Sequence, residues 1–387
     1  MRRKMNTNNY EFSIIIPVFQ ELNILNLCLE TLFDSLEYYT QIIIVDDGSP
    51  TSVRNYLHNL KQTTSKKYSV ELIYHDHSRG SCFCINEAFR LVKGKYTLIL
   101  DSDTIVNQQW QNRLIECFRD ENIGCIGAVL LYPQTGGIQN CGIAYTNSRG
   151  RHLLLNASPE ILDDLPLYDV QSTIFAFCAI KTEVIRIVGD LDIEFFNGYE
   201  DIDYQLRIRK AGYRICILPS LRLYHWERSN GIHRPFNRQS NLSLLWKKHG
   251  NFLKEDLWDF LFPALIKKVK ADSYVGVDLC LSRFDANVFW QLIERKIPKR
   301  ISENYDYSYM VKNEPTIWLP MVIPHDFFRI KRPILFLCEN FIQMLDNKYW
   351  WNFRCNYSQD DIIVDMYGNV LYFQQLDHSF WPGRKIR

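Results

Sequence analysis

The 387-residue chain lacks any marked excess of one charge: 45 Lys and Arg stand against 44 Asp and Glu, a formal net charge of +1. A general nucleic-acid binder carries a strong basic surplus, so no nucleic-acid partner is expected. No apolar run approaches the roughly 18 residues that a membrane span requires. Among the 11 cysteines, Cys82 and Cys84 form a C-x-C, but no C-x-x-C pair exists to hold zinc. The odd count, with members such as Cys178 and Cys216 inside apolar runs, points to buried free thiols in a reducing compartment. Met1-Arg2-Arg3-Lys4 is basic but no apolar segment follows, so no secretory leader is expected and a cytoplasmic location is. Also missing are a G-x-x-x-x-G-K-[ST] phosphate loop, a G-x-G-x-x-G turn and a G-x-S-x-G elbow. These absences count against an ATPase, a dehydrogenase with the usual nucleotide turn, and a common serine hydrolase.

What is present is ordinary globular composition, 47% hydrophobic and 23% charged, at a length that suggests two domains. Ser13–Val18, Gln41–Val45, Val70–Tyr74 and Tyr96–Leu100 are short apolar runs of the kind that form buried strands. Between them, Leu22, Leu25, Leu29, Leu32, Phe33 and Leu36 recur at helical spacing, and Gly80–Val92 and Asn107–Arg119 read as further helices. Ser49 is placed to cap a helix whose first residue is Pro50. This alternation predicts an α/β fold with a mostly parallel sheet covered on both faces, and ligands bind beyond the carboxyl ends of such strands. Further on, Ile174–Ile180 and Arg214–Leu218 read as strands and Asp201–Ala211 as a helix closed by Gly212. The rhythm stops near Phe260. A boundary in Leu261–Asp272 separates a domain at 1–260 from a smaller α+β region at 261–387, in which Asp361–Phe373 reads as a hairpin turning at Tyr367-Gly368-Asn369.

Carboxylates gather at the predicted strand ends. Asp101 and Asp103 lie two apart in an extended segment and so share a side, a hard-oxygen arrangement suited to Mg²⁺ or Mn²⁺; a solvated acidic turn has the same residues. Asp46-Asp47-Gly48-Ser49 offers a carboxylate to a base or ribose, or simply turns the chain into a helix. Glu200-Asp201-Ile202-Asp203 opens a helix after the aromatic loop Phe195–Tyr199. A carboxylate there suits a general base, although Asp203 is better read as favourable charge at a helix N-terminus. His225 is either a metal ligand or an ordinary histidine.

In order and spacing, four segments resemble a family 2 glycosyltransferase of the GT-A fold: SIIIPVFQELNILNLCLETL (13–32), IIIVDDGSPT (42–51), HSRGSCFCINEAFRLVKGKYTLILDSDT (77–104) and FFNGYEDIDYQLRIRKAGYRICILPSLRLYH (195–225). The resemblance covers about residues 10–260. It implies an inverting transfer from a nucleoside-diphosphate sugar, UDP- or dTDP-linked, to a hydroxyl of a glycan or lipid-linked saccharide, assisted by Mn²⁺ or Mg²⁺. Carried over by position, Pro17, Phe19 and Glu21 border the nucleotide and Asp47 meets the base. Arg79 contacts base or phosphate, Asp101 and Ser102 face the donor, and Asp103 and His225 hold the metal. In the Glu200-Asp201 pair, Asp201 is the base, and the aromatic loop before it is expected to close over the donor.

Gln20 and Ser78-Arg79 depart from the family's Asn-rich pattern, and the Q-x-x-R-W segment of processive members is missing. A sugar-1-phosphate nucleotidyltransferase would need a glycine-rich loop where Pro17–Glu21 stands. A degenerate, non-catalytic sugar-nucleotide or glycan-binding subunit is the alternative, and it is disfavoured because all four of Asp101, Asp103, Asp201 and His225 are present. Trp290, Trp318, Trp350, Trp351 and Trp381 either pack in a core or stack on glycans. Lys331-Arg332 and Arg384-Lys385 are either solvated or touch the inner face of the plasma membrane.

Overall fold

The computed structural model describes residues 10–62, 65–107, 109–146, 149–227, 234–254 and 256–257, and the short stretches 274–277, 334–338, 361–365 and 370–372. The five tryptophans named above, Lys331-Arg332, Arg384-Lys385, the Tyr367–Asn369 turn and the 260/261 boundary lie outside the described residues. The chain divides into two compact units, Met1–Ile143 with Asp164–Lys254, and Ala144–Asp163 with Glu255–Arg387.

The first unit is built on a ten-stranded sheet. Its first half follows the expected rhythm: β1 (Phe12–Val18), α1 (Leu22–Ser35), β2 (Thr40–Asp47), α2 (Thr51–Lys61), β3 (Tyr68–His75), α3 (Ser81–Phe89) and β4 (Tyr96–Leu100). Then come β5 (Thr104–Ile105), α4 (Trp110–Cys117), β6 (Ile123–Leu131) and β7 (Ile138–Asn140). Next in the chain, β8 (Ile143–Thr146) and β9 (Arg149–His152) form a separate ribbon that, apart from Ile143, belongs to the second unit. The first unit closes with β10 (Tyr168–Val170), β11 (Phe177–Lys181), α5 (Thr182–Val188), α6 (Glu200–Lys210), β12 (Arg214–His225) and α7 (Arg234–His249). The strand order is β10-β12-β6-β11-β4-β1-β2-β3, with β5 on β12 and β7 on β6.

Parallel pairing joins β3, β2, β1 and β4, and again β6 and β12, while β11 runs antiparallel between β4 and β6. The sheet is therefore mostly parallel, and the carboxyl ends of β1, β2, β4 and β12 lie along one edge. β1, β2 and β4 are buried on both faces, which is why they read as apolar runs, whereas β3 at the sheet's end is only partly buried. Leu25, Cys28, Leu29 and Leu32 of α1 pack against this sheet together with Trp110 and Phe118. Each fully buried Leu or Ile contributes about 1.5–3 kcal/mol.

Three local features differ from the sequence expectation. Ser49 does not cap α2: its Oγ accepts from the Gln20 amide at 3.1 Å, tying the end of β2 to the end of β1. The strand at Arg214 runs on past Pro219 to His225, with a register shift between Leu218 and Arg222. The fully buried nine-residue β6 has no counterpart in the sequence reading.

In the second unit, β13 (Tyr274–Val277), β14 (Ile334–Cys338), β15 (Ile362–Asp365) and β16 (Val370–Tyr372) form one sheet in that order. β15 and β16 pair antiparallel, as the hairpin reading requires, whereas β13, β14 and β15 are parallel. Cys28, Cys82, Cys84, Cys117, Cys125, Cys141, Cys178 and Cys216 are free thiols, and all of these but Cys117 are buried.

Candidate active site

Asp101 follows β4 directly, and a short turn leads from it to Asp103 and β5. Thr104 fixes that turn: its amide donates to the Asp101 carbonyl at 3.1 Å and its hydroxyl to the Ala176 carbonyl at 3.0 Å. β5 pairs with the end of β12, setting His225 opposite Thr104. His225 Nε2 thereby reaches 3.1 Å from Asp103 Oδ1 and 3.7 Å from Asp101 Oδ2. One ligand atom from each of the three lies within 4.8 Å of the others. The imidazole is buried, while the Asp101 and Asp103 side chains keep 45% and 18% exposure, which leaves room for water or phosphate oxygens. Two carboxylates and one imidazole, part open to solvent, fit a divalent cation of the Mn²⁺ or Mg²⁺ kind. Cys28 Sγ sits beneath, against the Asp101 carbonyl, but burial and the two aspartates push its thiol far up, so it offers no thiolate. Ser102 stands half-buried in the turn.

The β2 end is organised differently. Asp46 is fully buried and accepts from the Ser49 amide and Arg54 Nε, both at 3.0 Å. Asp47, 4% exposed, accepts four hydrogen bonds: His75 Nδ1 at 2.7 Å and the Arg79 amide at 2.8 Å on Oδ1, Ser78 Oγ at 2.7 Å and the Gly80 amide at 2.9 Å on Oδ2. Burial pushes this carboxyl up, but the four donors together outweigh it and hold it below the ordinary range. Asp47 is thus spent on folding the His77–Gly80 turn over the strand end. His75 bonds onward through Nε2 to Glu87 at 2.8 Å. Burial pushes its imidazole down; the two carboxylates push it up further, and the net direction is upward. Gly48 is required here: at φ +83° its position would bring a Cβ to 2.8 Å from the Ser78 amide nitrogen.

Phe19, Gln20 and Glu21 are exposed on the turn after β1, with Gln20 and Glu21 both at positive φ, and Pro17 is half-buried below them. Arg79 is exposed, its guanidinium 4.7 Å from the Phe83 ring centroid.

Glu200 and Asp201 open α6 and diverge. Glu200 Oε1 accepts from Ser81 Oγ at 2.8 Å, joining the start of α6 to the start of α3, while its buried Oε2 has no hydrogen-bond partner. Asp201 Oδ1 accepts from the Ile202 amide at 2.8 Å. Asp203 stands in the first turn of α6, as the helix-start reading has it. It is 1% exposed and bonded to Arg207 Nε at 2.9 Å and to His249 Nε2 of α7 at 2.7 Å.

The loop before α6, expected from sequence to close as a lid, is tied down on both flanks. From α3, Asn86 exchanges hydrogen bonds with the backbone of Leu191, and Cys82 Sγ lies 3.2 Å from the Phe195 carbonyl. From α7, Asn241 Nδ2 donates to the Phe196 and Gly198 carbonyls at 3.1 and 2.8 Å, and Lys248 pairs with Asp192 and Glu194. Phe195 is fully buried and Phe196 is 42% exposed. Asn197, Gly198 and Tyr199 all take positive φ, so strain is concentrated immediately before Glu200. Residues Arg79–Phe83, Ile193 and Phe195–Asn197 line a shallow cleft there.

Sequence reasoning missed His75, Glu87 and Asn241, and it missed Gln139 of β7, whose Oε1 lies 2.6 Å from His225 Nδ1. His75, Gln139 and Asn241 stand outside the quoted segments, Glu87 stands inside one without a role of its own there, and each acts on a partner that spacing does not reveal.

This arrangement of sheet and strand-end carboxylates is the GT-A fold. The solved structure titled GalNAc-T7 with UDP, GalNAc and Mn²⁺ aligns with a TM-score of 0.51 at 15% identity, over 78% of this chain and 57% of that one, a likeness of fold. Residues 13–179 match the model of glycosyl transferase family 2. The chain is 26% identical over 253 residues to the uncharacterized protein y4gI of Sinorhizobium fredii, across 61% of its own length and 28% of the relative's. It is 25% identical over 268 residues to the chondroitin synthase of Pasteurella multocida, across 62% and 27%. It thus spans little more than a quarter of either relative. Among the described residues no helix is long and apolar enough to cross a membrane.

Proposed function

We propose that this chain transfers a sugar from a UDP- or dTDP-sugar to a hydroxyl of a glycan or glycoconjugate acceptor, with inversion at the anomeric carbon. The observation that carries the reading is the convergence of Asp101, Asp103 and His225 within 4.8 Å on the sheet edge where this fold binds its ligands. The relative named chondroitin synthase supports a polysaccharide product. A lipid-linked acceptor would bring the chain to the inner face of the plasma membrane.

Asp103 and His225 hold a divalent cation, Asp101 and Ser102 face the donor, and the His77–Gly80 turn with Pro17, Phe19, Glu21 and Arg79 borders the nucleotide. Asp47 acts by holding that turn, since its acceptor positions are filled by protein donors. When bound, Mn²⁺ or Mg²⁺ supplies Lewis-acid neutralisation of diphosphate charge. Asp201 takes the acceptor hydroxyl proton as the acceptor oxygen bonds to the anomeric carbon and the bond from that carbon to the diphosphate oxygen breaks. Its half-buried place suits a carboxylate whose basicity must rise above that of an exposed Asp. Glu200 steadies the start of α6 through Ser81.

The test is binding and slow hydrolysis of a panel of nucleotide sugars with Mn²⁺, Mg²⁺ or EDTA. Cation-dependent binding or turnover of one donor supports the proposal. A folded sample that binds none of them, with or without cation, rejects it in favour of a degenerate binding subunit.

A further inference from the structure

Gln139 lies behind His225, on the side away from the two aspartates. It is 1% exposed, on β7, and makes three contacts with the strand end that carries the histidine. Oε1 lies 2.6 Å from His225 Nδ1; Nε2 lies 3.1 Å from the His225 carbonyl and 3.3 Å from Glu227 Oε2. The orientation of this amide is settled by its surroundings. The His225 carbonyl accepts only, and Glu227 is acceptor-only when ionised, so the NH₂ group must face them. The carbonyl oxygen of Gln139 then faces Nδ1, and an oxygen without hydrogen requires that Nδ1 carry one.

The consequence reaches the other ring nitrogen. A neutral imidazole has one N–H. Without Gln139, that proton would go to Nε2, where Asp103 Oδ1 at 3.1 Å would accept it, leaving no lone pair for a cation. We propose that Gln139 is the positioning residue of the cation site: it holds the His225 proton on Nδ1, away from Asp103, so that Nε2 presents a bare lone pair beside the two carboxylates. Metal-bound histidines commonly owe their tautomer to such a partner on the second nitrogen. The inference rests on reading Asp101, Asp103 and His225 as a cation site, and its test separates the two.

The test compares wild type, Gln139→Met and the exchange Q139E/E227Q. The Met variant fills similar space without an acceptor for Nδ1–H. The exchange keeps an oxygen facing Nδ1 and lets the new amide at 227 donate to the new carboxylate, while the His225 carbonyl loses the donor that Gln139 supplies. Mn²⁺ alone is titrated by the electron spin resonance of the free ion. The neutral His225 tautomer is read by nitrogen-15 NMR of histidine-labelled, cation-free protein at about pH 9, well above the ordinary imidazole range. Wild type is expected to show the Nδ1–H form. Gln139→Met should move the proton to Nε2 and weaken Mn²⁺ binding by about 10- to 100-fold, and the exchange should restore both readings. Loss of affinity through general damage would leave the tautomer unmoved. A Met variant that keeps the Nδ1–H form and wild-type affinity overturns the proposal; so does wild-type protein showing Nε2–H. Should the Met variant fail to fold, the exchange decides alone: a folded protein with the proton on Nε2 overturns it, and one with Nδ1–H supports it. If wild type binds no Mn²⁺ while Gln139→Met still switches the tautomer, the cation reading fails and the control of the ring by Gln139 stands.

Discussion

Replacing Asp47 with alanine should destabilise the first unit far more than removal of a strand-end acidic residue ordinarily does. The substitution strips the acceptor from four donors at once. Ser78 and Arg79 are exposed and can turn to water, whereas His75 and the Gly80 amide are buried and cannot. Each buried donor left unsatisfied costs about 1–3 kcal/mol, and breaking a buried ion pair from one side costs about 3–5 kcal/mol. A loss of about 3–5 kcal/mol is therefore expected, a fall in melting temperature of roughly 6–20 °C for a unit of this size. Urea unfolding followed by tryptophan fluorescence measures it, and hydrogen exchange of residues 78–80 locates it. A cycle with His75→Leu should show strong coupling, because the second change removes the histidine that the first leaves unpaired. A cost under about 1 kcal/mol, or unchanged amide protection at 78–80, would refute the view of Asp47 as the clamp of this turn.

Asp201→Asn should keep donor binding and lower transfer by about 10²- to 10⁴-fold, while Glu200→Gln should lose much less; steady-state kinetics with the identified donor separates the two. Asp103→Asn and His225→Ala should each abolish the cation dependence of donor binding, read by calorimetry with and without EDTA. His75 is held above its ordinary value of 6.5 by Asp47 and Glu87 against the pull of burial. Its contribution to stability should be complete below about pH 6.5 and disappear as pH rises through the folded value; urea midpoints from pH 6 upward, compared with His75→Leu, test the sign. Asn241→Ala should raise hydrogen exchange at 195–199 without altering exchange in β1, β2 or β4, as expected if α7 restrains that loop.

The carboxylates that gather at the candidate site were legible because they stand in short motifs at the ends of strands that announce themselves. β1, β2 and β4 are buried on both faces and appear as unbroken runs of Ile, Val and Leu. β6 was hidden by its glycines: Gly124 and Gly127 interrupt the run because Tyr213 and Thr173 leave no space for a Cβ. Pro219 concealed the continuation of β12, which passes it through an irregular stretch of pairing. The helix-start place of Asp203 was legible, but its pairing with His249 was not, because that partner lies on another helix and spacing within α6 says nothing of α7. The saturation of Asp47 was equally invisible, since the donors arrive on a turn whose path only the fold defines.

The pairing of β5 with the end of β12 also sets an order of assembly. Asp101 and Asp103 are made early in synthesis, but His225 reaches them only after β6, β11 and β12 have been laid down at the far side of the sheet. Contacts between such remote segments form late, because loop closure must be met before they stabilise anything. On the proposed reading of these three residues as a cation site, cation affinity would gauge completed folding, and a bound cation, by favouring the native state through mass action, would fasten the last strand of the sheet to its centre.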